Sequence, residues 1–209
     1  MHPYEQADEL RQAVDELGVR IYTALRDGGL DAEPLVELAC LMKEWDASTP
    51  VTRELLERLA TELTAADLAR LGEALLDEIG FMPSFALEPG LLVSLEEALK
   101  VVERDVRAAG ITGTLRMIVP DWDVMGMAWV EFEGICQGNG IRPGTGPLWA
   151  VADATQEVVM EVLWGAWPVC PVHNQGLHAE SEDGIAVWRC TGSGTHTVAP
   201  VGELPPERR

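Results

Sequence analysis

The stretch 170–196, CPVHNQGLHAESEDGIAVWRCTGSGTH, contains three of the four histidines and two of the four cysteines of this chain. Thiolates and imidazoles are the ligands that zinc prefers in small tetrahedral sites. Two residues separate Cys170 from His173, a spacing that lets both side chains turn onto one ion. Cys190 follows Ile185-Ala186-Val187-Trp188, which has the composition of a strand. The stretch therefore predicts a zinc-ribbon-like hairpin.

The fourth ligand of this zinc site is ambiguous, because His178 and His196 both qualify by residue type. Four protein ligands would make a closed, structural site. Cys190 has no partner two residues further on, unlike the second arm of a complete ribbon. Two alternatives stay open: a hairpin that has lost its metal, and a three-ligand catalytic zinc with a water position. The catalytic alternative needs a general base, for which Glu180 and Glu182 are the local candidates.

The segments 167–173 (WPVCPVH), 183–190 (DGIAVWRC) and 198–204 (VAPVGEL) resemble the tail of a group of small actinobacterial proteins. In that group a Cys-Pro-x-His turn and a Trp-x-Cys strand recur around a hairpin. The resemblance covers about residues 148–204 and implies no activity, because none is attached to the group. Thr191 departs from the group, whose second arm usually reads Cys-Pro.

The resemblance also implies a ligand set for the zinc ion. It favours His178 over His196 as the fourth ligand. The implied metal ligands are Cys170, His173, His178 and Cys190.

Residues 5–110 show the periodicity of consecutive amphipathic helices. Apolar residues recur at intervals of three and four, which places them on one face of a helix. Thr64 with Asp67, and Ser94 with Glu97, match the capping box that begins a helix. Gly80 and Gly110 match the glycine that ends one. Five helices joined by short connections predict an N-terminal helical bundle; the first helix carries Leu10, Val14, Leu17, Ile21 and Leu25.

The pattern changes after Gly110, where residues 112–119 and 127–136 have the composition of strands. Helical spacing returns at residues 148–164 and precedes the Cys/His stretch. The sequence thus predicts a mostly helical α+β protein in three parts. These are a helical bundle at 1–110, a strand pair plus a helix at 111–165, and the zinc-knuckle-like hairpin and tail at 166–209.

The net charge of −20 at pH 7 restricts the partners that this chain can bind. Nucleic-acid and anionic membrane surfaces require basic faces, and no run of arginine or lysine is present. The charge fits a basic protein partner or simple colloidal solubility better. The first residues lack the basic and apolar regions of a secretory signal peptide, and the cysteine spacing is unlike a disulfide framework. We therefore expect a cytoplasmic protein.

Four carboxylates, those of Asp121, Asp123, Glu131 and Glu133, lie near the two strands predicted after Gly110. Alternate residues of a strand share a face, so Glu131 and Glu133 are candidates for a cation site or an acid–base pair. The competing interpretation is a solvated strand face.

Two further cysteines lie outside the Cys/His stretch. Cys136 ends a strand but has no base in reach, which favours a buried thiol. Cys40 falls within the apolar stripe of the second helix, which predicts a core residue.

The sequence-based hypothesis is a cytoplasmic accessory or protein-interaction protein with a structural zinc site. The alternative hypothesis is a small enzyme that uses an open zinc position or the cluster of Asp121, Asp123, Glu131 and Glu133. The two hypotheses differ in one expectation: the enzyme hypothesis requires the candidate catalytic groups to line one concave pocket.

Overall fold

The computed structural model describes residues 3–144 and 146–206, and it confirms an α+β fold. Helices account for most of the regular structure, and two small antiparallel sheets account for the rest. The chain divides into two compact units between Pro83 and Ser84. Within the described residues, no helix combines the length and the apolar character needed to span a membrane.

The first unit consists of helices. These are α1 (Pro3–Asp27), α2 (Glu33–Glu44), α3 (Pro50–Glu57) and α4 (Ala65–Glu78), with a short 3-10 turn at Ala60–Glu62. The core that they enclose contains Ile21, Leu35, Leu38, Leu71 and Leu75, each fully buried. These positions recur at the three- and four-residue spacing of the sequence, because that spacing aligns side chains on one helix face.

The starts of α3 and α4 are fixed by capping boxes. The Thr64 hydroxyl accepts from the Asp67 backbone N–H, and the Asp67 carboxylate accepts from the Thr64 backbone N–H. This confirms the predicted cap of the fourth helix. Thr49 and Thr52 form a second box at the start of α3. Arg58 adds a two-pronged contact to Asp67, with both N···O distances at 3.2 Å.

The second unit combines two helices with two three-stranded antiparallel sheets. The first sheet has the order β1-β2-β3 and the second has the order β4-β5-β6. The elements are α5 (Pro89–Ala108), β1 (Leu115–Ile118), β2 (Trp129–Phe132), β3 (Ile135–Cys136), α6 (Pro147–Leu163), β4 (Leu177–Glu182), β5 (Ile185–Cys190) and β6 (His196–Pro200).

Helix α6 organises this unit, because it packs on α5 and on strands of both sheets. Its sequence is apolar on most of its circumference, as expected of a helix that is covered on several sides. Val151 and Val158 of α6, Phe132 of β2, and Leu177 and Trp188 of the second sheet belong to one buried cluster.

The fifth helix differs from its sequence-based prediction in two ways. It begins at Pro89, so Ser94 lies inside it, where the hydroxyl donates to the Gly90 carbonyl at 3.0 Å instead of capping the helix. Pro89 at the first helical position explains the earlier start, because proline is pre-organised there. The helix also packs within the second unit, whereas the helical periodicity predicted that it belongs to one bundle over residues 1–110.

Candidate metal centre

Cys170 and His173 lie on a tight turn between α6 and β4. The turn is closed by a bridge between Val169 and Gly176. The Cys170 N–H donates to the Gln175 carbonyl at 2.7 Å, and the Asn174 N–H donates to the Cys170 carbonyl at 2.9 Å. These bonds hold both ligand side chains on one side of the turn, as the two-residue spacing predicts.

Cys190 and His196 lie at the end of the second sheet where β4 begins, because Cys190 pairs with Leu177. Cys190 is the last residue of β5 and His196 the first of β6, and the two are paired across the strands. Directly opposed residues on antiparallel strands have their Cβ atoms about 5 Å apart. The register of β5 and β6 thus places a thiol and an imidazole side by side, next to the Cys170–His173 turn.

The four side chains converge on one point. One ligand atom from each of Cys170, His173, Cys190 and His196 lies within 4.8 Å of the others. The distance from His173 Nδ1 to Cys190 Sγ is 3.3 Å, and Cys170 Sγ lies 3.8 Å from His173 Nδ1 and 3.7 Å from His196 Nε2. A tetrahedral zinc ion with ordinary Zn–S and Zn–N bonds separates sulfur from nitrogen by about 3.6 Å. The group could therefore hold a metal ion.

The sulfur atoms are buried and receive backbone donors. Cys170 and Cys190 are fully buried. Burial raises the pKa of the Cys170 thiol, but the backbone N–H groups of His173 and Val172 and the side chains of Cys190 and His196 outweigh it, so the net pKa is lowered. The Gly192 N–H approaches Cys190 Sγ at 3.4 Å. Donors aimed at sulfur favour the thiolate, which is the form that binds metal.

His196 is oriented by a backbone carbonyl. Its Nδ1 lies 3.1 Å from the Gly194 oxygen. Because a carbonyl only accepts, Nδ1 carries the proton and the lone pair is left on Nε2, the atom that faces Cys170. The same contact is the largest cause of the raised pKa of His196, while burial opposes it and Cys170 adds to it. An imidazole fixed through its remote nitrogen is the usual arrangement of a metal ligand.

Gly192 is a part of the centre that the sequence analysis missed. A Cβ atom at this position would lie 2.8 Å from Gln175 Oε1 and 3.0 Å from His173 Nδ1. Only glycine leaves room for the backbone to approach the imidazole this closely. Its N–H also lies within donor distance of Cys190 Sγ. The glycines that follow Cys190 are the feature of the sequence that could have identified this position.

The structure replaces His178 by His196 as the fourth member of the group. His178 lies on β4 between Leu177 and Ala179, which are both buried, and its own side chain is exposed. Alternate residues of a strand point to opposite faces, so His178 points away from Cys190, the partner of Leu177. The ligand set implied by the actinobacterial resemblance, with His178 in it, is therefore not the one that the fold brings together.

Two buried polar side chains hold the hairpin around this centre, and neither was identified from the sequence. The Gln156 amide of α6 donates to the carbonyl of Trp167, at 2.9 Å, and to that of Leu177. These two residues flank the Cys170–His173 turn. The Asp105 carboxylate of α5 accepts from Trp188 Nε1 at 2.6 Å, from the Gly202 N–H at 2.6 Å and from the Leu204 N–H at 2.8 Å.

The four candidate carboxylates do not share a centre. Asp121 is exposed in the β1–β2 loop. Asp123 accepts from Trp129 Nε1 and the Met125 N–H, and Glu131 faces Arg116 at 3.9 Å across β1 and β2. Glu133 lies in the β2–β3 turn at φ 51° and accepts from the Thr114 N–H. The alternation of a strand therefore does not apply to Glu131 and Glu133, since β2 ends at Phe132.

The remaining candidates also have other roles. Glu180 and Glu182 lie on β4, where they face Arg189 at 3.4 and 3.5 Å. Burial, followed by the charge of Glu131, raises the pKa of the Cys136 thiol, which keeps it protonated. Cys40 is exposed, so the prediction of a core residue is wrong: the buried face of α2 passes through Leu38, Ala39 and Met42.

The chain was compared with protein-family models, with curated proteins and with solved structures, and none of the three comparisons found a match.

Proposed function

We propose that this protein is an accessory, protein-binding protein of the cytoplasm whose C-terminal hairpin is folded around a structural zinc ion. The observation that carries the proposal is the convergence of the ligand atoms of Cys170, His173, Cys190 and His196 within 4.8 Å. The hairpin of β4 and β5 with its Cys-x-x-His turn would then be a variant zinc ribbon, and α1–α4 would form a bundle of four of the five predicted helices.

Zinc fits the donor set better than other abundant metal ions. Two thiolates and two imidazoles are a common tetrahedral zinc set, whereas calcium and magnesium require oxygen ligands. The S···N distances of 3.3, 3.7 and 3.8 Å are close to those of a tetrahedron. Both sulfur atoms are buried, which suits a metal that stays bound.

A structural role follows from the number of ligands. Four protein ligands fill a tetrahedral zinc ion and leave no position for water or substrate. The connection at residues 191–195 (TGSGT) has no large apolar side chain that could hold it in place. The free energy of metal binding would therefore be folding free energy for this part of the chain.

Protein binding is supported by the surface. A net charge of −20 favours a basic partner, and several large apolar side chains of the second unit are exposed. Exposed apolar side chains that lie close together are typical of interaction sites.

Native mass spectrometry with and without a chelator tests the zinc proposal. The untreated protein should carry about one zinc ion per chain, as expected of a single tetrahedral site, and the chelated protein none. A protein purified without chelator and still free of metal would contradict it.

Affinity capture from the source cell tests the protein-binding proposal. It should recover a reproducible partner, whereas reproducible turnover of a small molecule with no recovered partner would favour an enzyme.

A further inference from the structure

The loop between β1 and β2 presents three large apolar side chains to solvent. We call residues 120–127 the Trp122 loop. The exposed fractions are 61% for Trp122, 95% for Val124 and 67% for Met125. Burying three such side chains in a partner would stabilise the complex, because it removes apolar surface from water.

The backbone of the Trp122 loop is held in place by Asp123. The Asp123 N–H donates to the Pro120 carbonyl at 3.1 Å, and the Gly126 N–H donates to the Asp123 carbonyl at 2.9 Å, so the loop is two successive turns. The Asp123 carboxylate accepts from the Met125 N–H at 2.8 Å and from Trp129 Nε1 at 2.6 Å. These bonds tie the loop to β2.

The position of the Trp122 ring is fixed as well. It packs on the ring of Trp129 with a centroid distance of 5.1 Å and an interplanar angle of 60°. Trp129 is half-buried on β2 and packs near Gly140, where a Cβ atom would lie 3.0 Å from its ring. An apolar group that is exposed but already ordered loses little entropy on binding, which is the property of an interface anchor.

The charges around the loop indicate the chemistry of its partner. Residues 111–144 contain four acidic side chains (Asp121, Asp123, Glu131 and Glu133) and two arginines, Arg116 and Arg142. Arg116 faces Glu131, and Asp121 is exposed beside Trp122. The local charge thus has the same sign as the chain, whose net charge is −20.

We propose that the Trp122 loop is the docking surface for a basic, amphipathic segment of a partner protein, an inference that rests on the protein-binding part of the proposed function. The partner's apolar face contacts Trp122, Val124 and Met125, and its cationic side chains lie near Asp121. Anionic membranes and a second copy of this chain are disfavoured by the same negative charge, because each would bring like charges together.

The test uses the full-length protein and a fluorescent amphipathic peptide of leucine and lysine as the probe. Val124→Glu is the informative variant, because Val124 is almost fully exposed and its replacement leaves the turns intact. Val93→Glu is the matched control, since Val93 is 53% exposed on α5. Both variants add one negative charge, so attraction by charge alone would tighten binding in each.

Val124→Glu should weaken peptide binding on the order of tenfold. The peptide affinity of Val93→Glu should stay within about twofold of that of the unmodified protein. Asp121→Asn should weaken binding by about twofold to threefold, and more at low salt than at high salt. Equal binding by the Val124→Glu variant and the unmodified protein would overturn the inference. So would equal binding of a leucine–glutamate peptide, adsorption to phosphatidylserine vesicles through the loop, or a dimer that only Val124→Glu dissociates.

Two readouts separate this inference from the proposed function. Zinc content, measured on the same preparations, should be unaffected by Val124→Glu. A failure of the zinc proposal would therefore be detected independently of the peptide-binding measurement. Affinity capture that recovers the same partner with Val124→Glu as with the unmodified protein would overturn the loop inference and leave protein binding intact. Capture that recovers nothing with either protein would overturn the protein-binding function itself.

Discussion

The first unit and the sheet of β4–β6 differ in the kinds of side chain that they bring together. In the first unit, α1–α4 bury aliphatic side chains such as Ile21, Leu38 and Leu75 against one another. In the hairpin, the strands contribute Leu177 and Trp188 to a core shared with α6, but the loop that follows Cys190, residues 191–195, is polar and rich in glycine. At this end, the four candidate ligand side chains and the buried polar groups of Gln156 and Asp105 add to the hydrophobic core.

The two regions should therefore respond differently to metal removal and to changes in the volume of core side chains. A core of leucines is insensitive to metal, and its stability changes with the volume that each side chain fills. The proposed zinc site would make the end of the hairpin dependent on metal supply, because its ligands gain stability only when they share an ion. We therefore expect that substitutions in the candidate metal centre leave the first unit folded.

Replacement of Cys170 by serine should give the largest effect. It removes a buried ligand, so the protein should lose its zinc and hydrogen-exchange protection should collapse in β4–β6, while α1–α4 keep theirs. Hydrogen exchange with mass spectrometry measures both regions in one sample. Cys40→Ser, a change at an exposed cysteine of α2, is the matched control and should keep zinc and protection. Unchanged protection of β4–β6 in Cys170→Ser would show that the hairpin does not depend on metal.

Substitution of the two competing histidines should separate the sequence-based ligand set from the one in the structure. His196→Ala removes a ligand atom and should lower zinc affinity at least on the order of a hundredfold, since even the loss of an outer-shell partner costs tenfold or more. His178→Ala alters an exposed side chain of β4 and should leave affinity within about twofold. Competition with a chromogenic zinc chelator measures both. The opposite ranking would restore His178 as the ligand.

Asp105→Asn should destabilise the second unit by about 2–3 kcal/mol, because an amide cannot replace a buried carboxylate that accepts three N–H donors. Urea unfolding followed by tryptophan fluorescence measures the change, since Trp188 is one of the donors. Zinc stoichiometry should stay the same, which distinguishes this support from the ligands. Asp121→Asn, at an exposed position, should change the free energy of unfolding by less than about 0.5 kcal/mol.

The smallest effect is expected at Asp67 in the first unit. Arg58 and then Thr64 hold the pKa of Asp67 well below its usual range. Its contribution to stability is therefore complete above the unfolded-state pKa of about 3.9 and is lost as the pH falls through the lower folded-state pKa. Asp67→Asn should lower Tm by roughly 2 °C near neutral pH.

The pH profile sharpens this last prediction. The difference in Tm between Asp67→Asn and the unmodified protein should be constant from about pH 7 to pH 5 and should shrink only below about pH 4. Zinc should be released at a higher pH than that, because imidazoles and thiolates take up protons first. A difference in Tm that shrinks together with zinc release would contradict the assignment to Asp67.

Much of the fold could be predicted because it depends on local patterns. The periodicity of Leu10 to Leu25 predicted α1, and the Thr64–Asp67 box predicted the start of α4. The start of α5 was mistaken, since Pro89 and Ser94 both carry signals for a helix N-terminus and sequence alone does not rank them. The placement of α5 in the second unit depends on its contacts with α6 and β1, which no local pattern contains.

For the candidate metal centre, the sequence alone was enough to predict the residue types, the turn that joins Cys170 to His173, and a fourth ligand that is either His178 or His196. Spacing along the chain sets which ligands can lie on one turn, so Cys170 and His173 could be paired from the sequence. The fold selects His196 over His178, because strand register and the alternation of β4 determine which imidazole reaches the sulfur atoms. Asp105 and Gln156 were invisible for the same reason: their partners lie far away in sequence and are brought near only by packing.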